Sequence, residues 1–338
     1  MNNNQIVKMK KPLVSICCLT FNMEDYIKQT LESFLMQNTS FFFEVIIHDD
    51  ASSDNTRSII EEYALKYPDI IKTVFQKVNQ HSKRGFCFQY IDVFPKAQGK
   101  YIAFCDGDDY WIDPLKLQKQ IDFLESHLEY GIVHTKALKY NDKRVAFENI
   151  VGFKFNDFEE LITECTVVHS STCYRNSLMK QYIEEVRPEE RIEWTTNDFP
   201  VWLWFIQHSK VKFLEDITTV YRQRGKSISH LPDDHKRLYF SEGVYNVVDY
   251  FLSENPNVRN ENKIRARYYS NMISNYFLIR RWDGIQQSAQ IFYSANDWLN
   301  LFWIAITLPF SFSRFMIKGS YKVRSLLFNM LNIYPIKK

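Results

Sequence analysis

Over the first 140 residues, short runs that are almost wholly apolar alternate with segments whose apolar residues recur every three or four positions. Residues 13–19 and 43–47 are near-continuous apolar runs, the pattern of strands covered on both faces. Residues 71–75, 101–104 and 131–134 read as three further strands. Between them, Ile27, Leu31, Phe34 and Leu35 form one helical stripe, and Ile59, Ile60, Tyr63 and Ala64 a second. Phe86, Tyr90, Ile91 and Phe94 mark a third helix, and Leu117, Ile121 and Leu124 a fourth. Asp113 and Pro114 predict the N-cap and first turn of that fourth helix. The βαβαβαβ order predicts an α/β fold, a mainly parallel sheet with helices on both faces. Ligands of such sheets bind beyond the carboxyl ends of the strands. From about residue 151 the periodicity is mixed, and residues 235–282 read as helical, with Tyr239, Val244, Val247 and Phe251 apolar. The pattern divides the chain into a tail over 1–11, an α/β domain over 12–228 and a mostly helical region over 229–338.

Composition narrows the class. Of 338 residues, 45% are hydrophobic and 24% charged, the balance of a globular protein. A net charge of +2 argues against a nucleic-acid partner. The six cysteines show no CxxC spacing, and Cys17, Cys18 and Cys105 lie in apolar runs, as buried thiols of a reducing compartment do. Residues 1–10 are polar and then basic, with no apolar core of a secretory signal, so the expected location is cytoplasmic. No acidic residue follows Asp297, while Arg314, Lys318, Lys322, Arg324, Lys337 and Lys338 add positive charge. Residues 298–313 are uncharged and rich in Trp and Phe, but a spanning helix needs about 20 residues. This tail over about 298–338 suits the plane of an anionic leaflet, placing the protein peripherally at the inner face of the cell membrane. A buried helical hairpin is the alternative.

The candidate chemistry lies at strand ends. Asp106, Asp108 and Asp109 fall within four positions, directly after the 101–104 strand. Carboxylates this close raise one another's pKa, and a hard divalent cation relieves that cost. Magnesium commonly shares its shell between one or two carboxylates and substrate phosphates, so the cluster points to Mn²⁺ or Mg²⁺ bridging to a phosphorylated ligand. Asp-Gly-Asp is also ordinary turn chemistry. Two more polar clusters fall at the same edge: Thr20, Phe21 and Asn22 after the first strand, and Asp49 and Asp50 after the second. Asp49 and Asp50 could equally cap the next helix. Lys83 and Arg84 open a predicted helix, where backbone N–H groups favour phosphate, though surface charges would look the same. Neither GxGxxG nor GxxxxGK[ST] occurs, which excludes a dinucleotide fingerprint and a P-loop.

In order and spacing, residues 14–22, 44–54 and 99–109 resemble the inverting family 2 glycosyltransferases of the GT-A fold, firmly over 12–140 and more thinly to 228. The resemblance implies a metal-dependent enzyme moving a sugar from a nucleotide-sugar, a UDP-sugar, to a saccharide hydroxyl in surface polysaccharide or lipopolysaccharide assembly. It places Thr20 and Asn22 at the nucleotide, Phe21 near the base, and Asp50 as acceptor from uracil N3–H. Asp106 would touch the nucleoside or phosphates, and Asp108 and Asp109 would form the metal pair, Asp109 the direct ligand. An inverting transfer needs a carboxylate base. The family's lies before an aromatic helix, a context matched by Asp198, with Glu193 in reserve; Asp198 is also an N-cap candidate. His169 would line the donor and acceptor side. Arg224 stands where the family often has histidine, so guanidinium charge would serve the phosphates there. The basic aromatic tail fits a lipid-linked acceptor. Two rival readings are a sugar nucleotidyltransferase, which wants a Gly-rich loop absent at residues 20–24, and a non-catalytic nucleotide- or carbohydrate-binding module.

Overall fold

The near-continuous apolar runs become the buried centre of one mixed sheet. In a computed structural model that describes residues 11–224, 233–278 and positions 287, 290 and 291, β1 (Val14–Thr20) and β2 (Phe43–Asp49) are buried along their whole length. They are joined by α1 (Ile27–Leu35), and α2 (Thr56–Lys66) leads from β2 to β3 (Ile71–Phe75). The chain continues through α3 (His81–Arg84) and α4 (Phe88–Asp92) into β4 (Tyr101–Phe104) and the two-residue β5 (Tyr110–Trp111). Then come α5 (Lys116–Ser126), β6 (Tyr130–Asn141), β7 (Ala146–Val151), α6 (Phe158–Thr163), β8 (Cys173–Arg175), α7 (Asn176–Val186), α8 (Phe199–His208) and β9 (Lys210–Gln223). The sheet order is β3-β2-β1-β4-β8-β6-β9-β5, with β7 on β6. β3, β2, β1 and β4 run parallel, as does β9 along β6, whereas β8 is antiparallel to both its neighbours.

Side chains alternate between two packed layers. On one face Val14, Ile16, Cys18, Val45, Ile47 and Ala103 meet the predicted stripes of α1, α2 and α5. On the other, Phe104 packs against Phe94, Tyr90 against Tyr182, and Tyr174 against Trp202 and Phe205 of α8. Residues Phe199 to Phe205 of α8 are all buried, so this helix is apolar all round and lies inside the unit. Cys17, Cys18, Cys87, Cys105 and Cys173 are buried free thiols, and Cys165 is exposed.

The structure corrects three local expectations. The helix read through Phe86, Tyr90, Ile91 and Phe94 is broken into α3, α4 and 3₁₀ turns, because Gly85 takes φ +55° and Pro95 closes the segment. The fourth helix begins at Lys116 rather than Pro114; Asp113 Oδ1 instead accepts from Leu115 N–H at 2.9 Å, closing the turn before it. Strands β5, β7, β8 and β9 carry no clear period-2 signal and were not expected. The chain divides into two compact units, Met1–Glu193 with Asn197–Gly225, and Trp194–Thr196 with Lys226–Lys338. The second contains α9 (Asp234–Ser253) and α10 (Glu261–Leu278). Tyr245 and Tyr269 meet at 4.6 Å there, and Arg265 bridges Asp249, Glu261 and the Tyr245 hydroxyl. Among the described residues no helix is long and apolar enough to cross a membrane; the basic aromatic tail lies outside them.

One buried carboxylate fixes how β4 enters the sheet. Glu44 Oε1 accepts from the Ser15 hydroxyl at 2.6 Å and from Gln98 N–H at 2.9 Å, and Ser15 Oγ accepts from Gly99 N–H at 2.8 Å. A Cβ at Gly99 would stand 2.5 Å from Ser15 N and 2.8 Å from Tyr101 O. Gly99→Ala should therefore cost about 1–3 kcal/mol by overpacking, read as a lower urea midpoint.

Candidate active site

Parallel pairing continues past the strand ends and gathers three loops at one rim. Asp50 N–H donates to Thr20 O (3.0 Å), Cys105 N–H to Cys17 O (3.1 Å) and Gly107 N–H to Leu19 O (2.9 Å). Gly107 is needed for this approach, since a Cβ there would lie 2.5 Å from Thr20 Cγ2. From α1, the buried Thr30 hydroxyl sits 2.7 Å from Asp109 O and 2.9 Å from Gly107 O, which ties the acidic turn down.

The three carboxylates have different surroundings. Asp109 is 2% exposed; Oδ1 accepts from Arg222 N–H at 2.8 Å and Oδ2 from the Ser170 hydroxyl. Asp108 forms a close ion pair with Arg224, Nε to Oδ2 at 2.5 Å. Among the described residues none donates to the half-buried Asp106 carboxylate. Burial pushes all three pKa values up, most strongly at Asp106, where Asp108, Asp109 and Asp198 add like charge. Burial and then Asp108 push Asp109 up to about 8, while Arg224 partly offsets the rise at Asp108. Arg222 also donates from Nη1 to Asp108 O at 2.6 Å, and its guanidinium lies 4.5 Å from the Tyr110 ring and 5.2 Å from that of Tyr26. Arg224 lies 5.6 Å from the Tyr26 ring. Two arginines on an aromatic shelf thus face the acidic turn.

The remaining predicted residues lie at or just after the ends of β1 and β2, on α3, in the turn before β8 and ahead of α8. Thr20 is buried and donates to His48 O at 3.1 Å; Asn22, at φ +50°, accepts from Ser53 N–H at 2.8 Å, so both brace the loop after β2. Phe21 between them is 43% exposed. Asp50 accepts from Gln80 N–H at 2.6 Å and His81 N–H at 2.9 Å. Those bonds use the first amides of α3, and Arg84 is paired with Asp92 and Gln80, both at 2.8 Å. The buried Nε of Arg84 has no hydrogen-bond partner among the described residues. His169 stacks on Phe104 at 3.7 Å and meets Trp202 edge-on; burial lowers its pKa to about 4, so it is neutral at pH 7. Asp198 is the N-cap of α8, accepting from Phe199 N–H at 2.8 Å, and its charge bears on both Asp106 and His169. Glu193 is exposed and bears on the Cys87 thiol instead.

Sequence reading missed Arg222 and Ser170. Arg222 had a legible signal, because residues 222 and 224 are two apart on an extended segment and share a face. Ser170 had none, since its role depends on β8 being inserted beside β4. No group of three or more His, Cys, Asp or Glu is poised around one point among the described residues. The donor set still suits Mn²⁺ or Mg²⁺: hard carboxylate oxygens, one of them without a donor, at a rim where phosphates could complete the shell.

Between pH 4 and about 8 the native Asp109 holds a proton that the unfolded chain releases near its ordinary pKa of 3.8. Without divalent cation, stability should accordingly fall as pH rises through that window. Urea midpoints at pH 5 and pH 8 should show the drop, and Asp109→Asn should flatten it.

Comparison with known proteins places this geometry. Residues 15–183 match the model for Glycosyl transferase family 2. EpsE of Bacillus subtilis (strain 168), which is named as a glycosyltransferase, is 36% identical over 248 residues, 70% of this chain and 80% of its own. An uncharacterized protein of Mycobacterium tuberculosis (strain H37Rv) is 32% identical over 231 residues, 67% of this chain; the match spans only 63% of that relative's length. Among solved structures, S. aureus TarS residues 1–349 in complex with UDP-GlcNAc is similar in fold at TM-score 0.58 and 18% identity, covering 95% of this chain and 88% of that one. With the family match over half the chain and a relative aligned over most of its length, the chain belongs to glycosyltransferase family 2 and has its GT-A fold.

Proposed function

We propose that this rim transfers a sugar from a UDP-sugar to a saccharide hydroxyl with inversion, in the assembly of a surface polysaccharide. The observation that carries the reading is the buried acidic turn at the carboxyl end of β4, faced by Arg222 and Arg224 and within the field of Asp198. A uridine donor is supported by the TarS complexes with UDP and UDP-GlcNAc, which share the fold. In this reading Phe21, exposed at the rim, stacks on the base. Asp50 keeps one lone pair on each oxygen for uracil N3–H. Asp106 and Asp108 face the nucleotide's phosphate side, and Arg224 and Arg222 set positive charge against the diphosphate. Mn²⁺ or Mg²⁺ held by Asp108 and Asp109, with Asp109 the direct ligand, would supply charge that stabilises the departing diphosphate. Thr20 and Asn22 keep the loops that present these groups in register, and His169 is a neutral ring on the donor and acceptor side.

Asp198 takes the acceptor hydroxyl's proton on a carboxylate oxygen while the sugar carbon is attacked from the face opposite the diphosphate. Its other duty, capping α8, survives exchange for asparagine, which caps as well as aspartate does. The tail over 298–338 supports an acceptor carried on lipid at an anionic membrane surface.

The test is a screen of nucleotide-sugars for release of nucleoside diphosphate, with and without Mn²⁺ or Mg²⁺. Divalent-dependent release of UDP is expected. Pyrophosphate release from a nucleoside triphosphate, or no turnover of any nucleotide-sugar, would sink the reading. Asp198→Asn should lower kcat by about 10²–10⁴-fold, with its thermal midpoint close to that of the parent.

A further inference from the structure

A buried lysine lies behind the acidic turn, and the transfer chemistry does not use it. Lys116, the first residue of α5, is 0% exposed. Its Nζ donates to Gln120 Oε1 at 2.8 Å, stands 3.5 Å from Thr172 O, and lies 4.2 Å from the centre of the Trp111 ring. Among the described residues it forms no ion pair; Asp113, whose charge bears on it, is paired with Lys119 instead. A buried ammonium without an anionic partner is costly, and burial lowers its pKa to about 8. Methionine or leucine would fill this space without that cost, so the ammonium needs a reason.

The reason lies in what the cluster holds. Trp111 Nε1–H donates to Ser170 O at 2.8 Å, and Gln120 Nε2–H to Ser171 O at 2.9 Å. Lys116 faces Thr172 O. Three consecutive carbonyls, at 170, 171 and 172, are thus met by one buried group of three side chains. The ammonium also fixes Gln120, because occupying its Oε1 leaves Nε2 turned towards Ser171. The segment held in this way carries the Ser170 hydroxyl, which donates to Asp109 Oδ2.

We infer that Lys116 is a positioning residue for the acidic turn: with Trp111 and Gln120 it sets the backbone of residues 170–172 so that Ser170 orients the Asp109 carboxylate for a divalent cation and a nucleoside diphosphate. The inference rests on the functional reading above and adds a residue to it. Groups one step removed from a metal site commonly change metal affinity by about 10–100-fold when altered.

The experiment is a double-mutant cycle on the full chain, titrating UDP calorimetrically in the presence of Mn²⁺. Lys116→Met and Ser170→Ala should each weaken binding by about tenfold or more. The double variant should bind no worse than the weaker single one, since both changes cut the same link. A lysine that merely supported the core would lower the thermal midpoint without entering this coupling. Losses that multiply in the double variant, or unchanged affinity in Lys116→Met, would overturn the inference alone. Absence of UDP binding by the parent protein would overturn the donor reading and the inference with it. If Lys116→Met does not fold, Trp111→Phe takes its place in the cycle; it keeps a ring beneath the ammonium and removes the donor to Ser170.

Discussion

The crowding of Asp106, Asp108 and Asp109 at the carboxyl end of β4 is the constraint around which this structure is arranged. Three carboxylates in four residues, one buried and two half-buried, repel one another strongly unless opposite charge and donors are brought to them. The fold brings them from elements distant in sequence: Ser170 from the turn before β8, and Arg222 and Arg224 from the end of β9, while Thr30 of α1 holds the backbone of the turn. The two-residue β5 matters for the same reason. Pairing Tyr110 with Val220 and Trp111 with Thr219 ties the chain just after the acidic turn to the strand that delivers the arginines. Carboxylates and guanidinium groups are thereby set at fixed distances by backbone pairing rather than by flexible side chains alone.

Much of this was legible before any coordinates. The strands β1, β2 and β4 and the stripes of α1, α2 and α5 follow from apolar runs and spacing, because each is buried in a way that its own residues advertise; β3, half-exposed at the sheet edge, follows from its order in the alternation. The convergence of Thr20, Asp50 and Asp106 on one rim follows from parallel pairing, and the register Thr20 to Asp49 and Cys17 to Phe104 bears it out. The second half of the sheet was opaque. β8 has three residues and β5 two, too short for period 2 to appear, and β9 mixes buried and half-buried positions along fourteen residues. Their places depend on partners far along the chain. The contact of Ser170 with Asp109 is hidden with them. Arg84 shows what the sequence hides in another way: its pairing with Asp92 and Gln80 depends on the turn at Gly85.

Asp198, the proposed base, has a structural duty of its own. As N-cap of α8 it is held by Phe199 N–H against a helix that is buried all round, so its position is set by the core. The same core places His169 between Phe104 and Trp202 as a neutral ring. The positive charge at the rim comes from arginine, which stays protonated throughout the working pH range.

Arg222 reaches two successive aspartates by two routes: its amide meets the Asp109 side chain, and its guanidinium meets the Asp108 carbonyl. The first contact is indifferent to residue type, because any amino acid except proline supplies the same N–H. The second is lost with the side chain. Drift at this position would therefore leave one aspartate anchored while releasing the peptide of its neighbour, giving the lineage a graded route for retuning the rim without dismantling it.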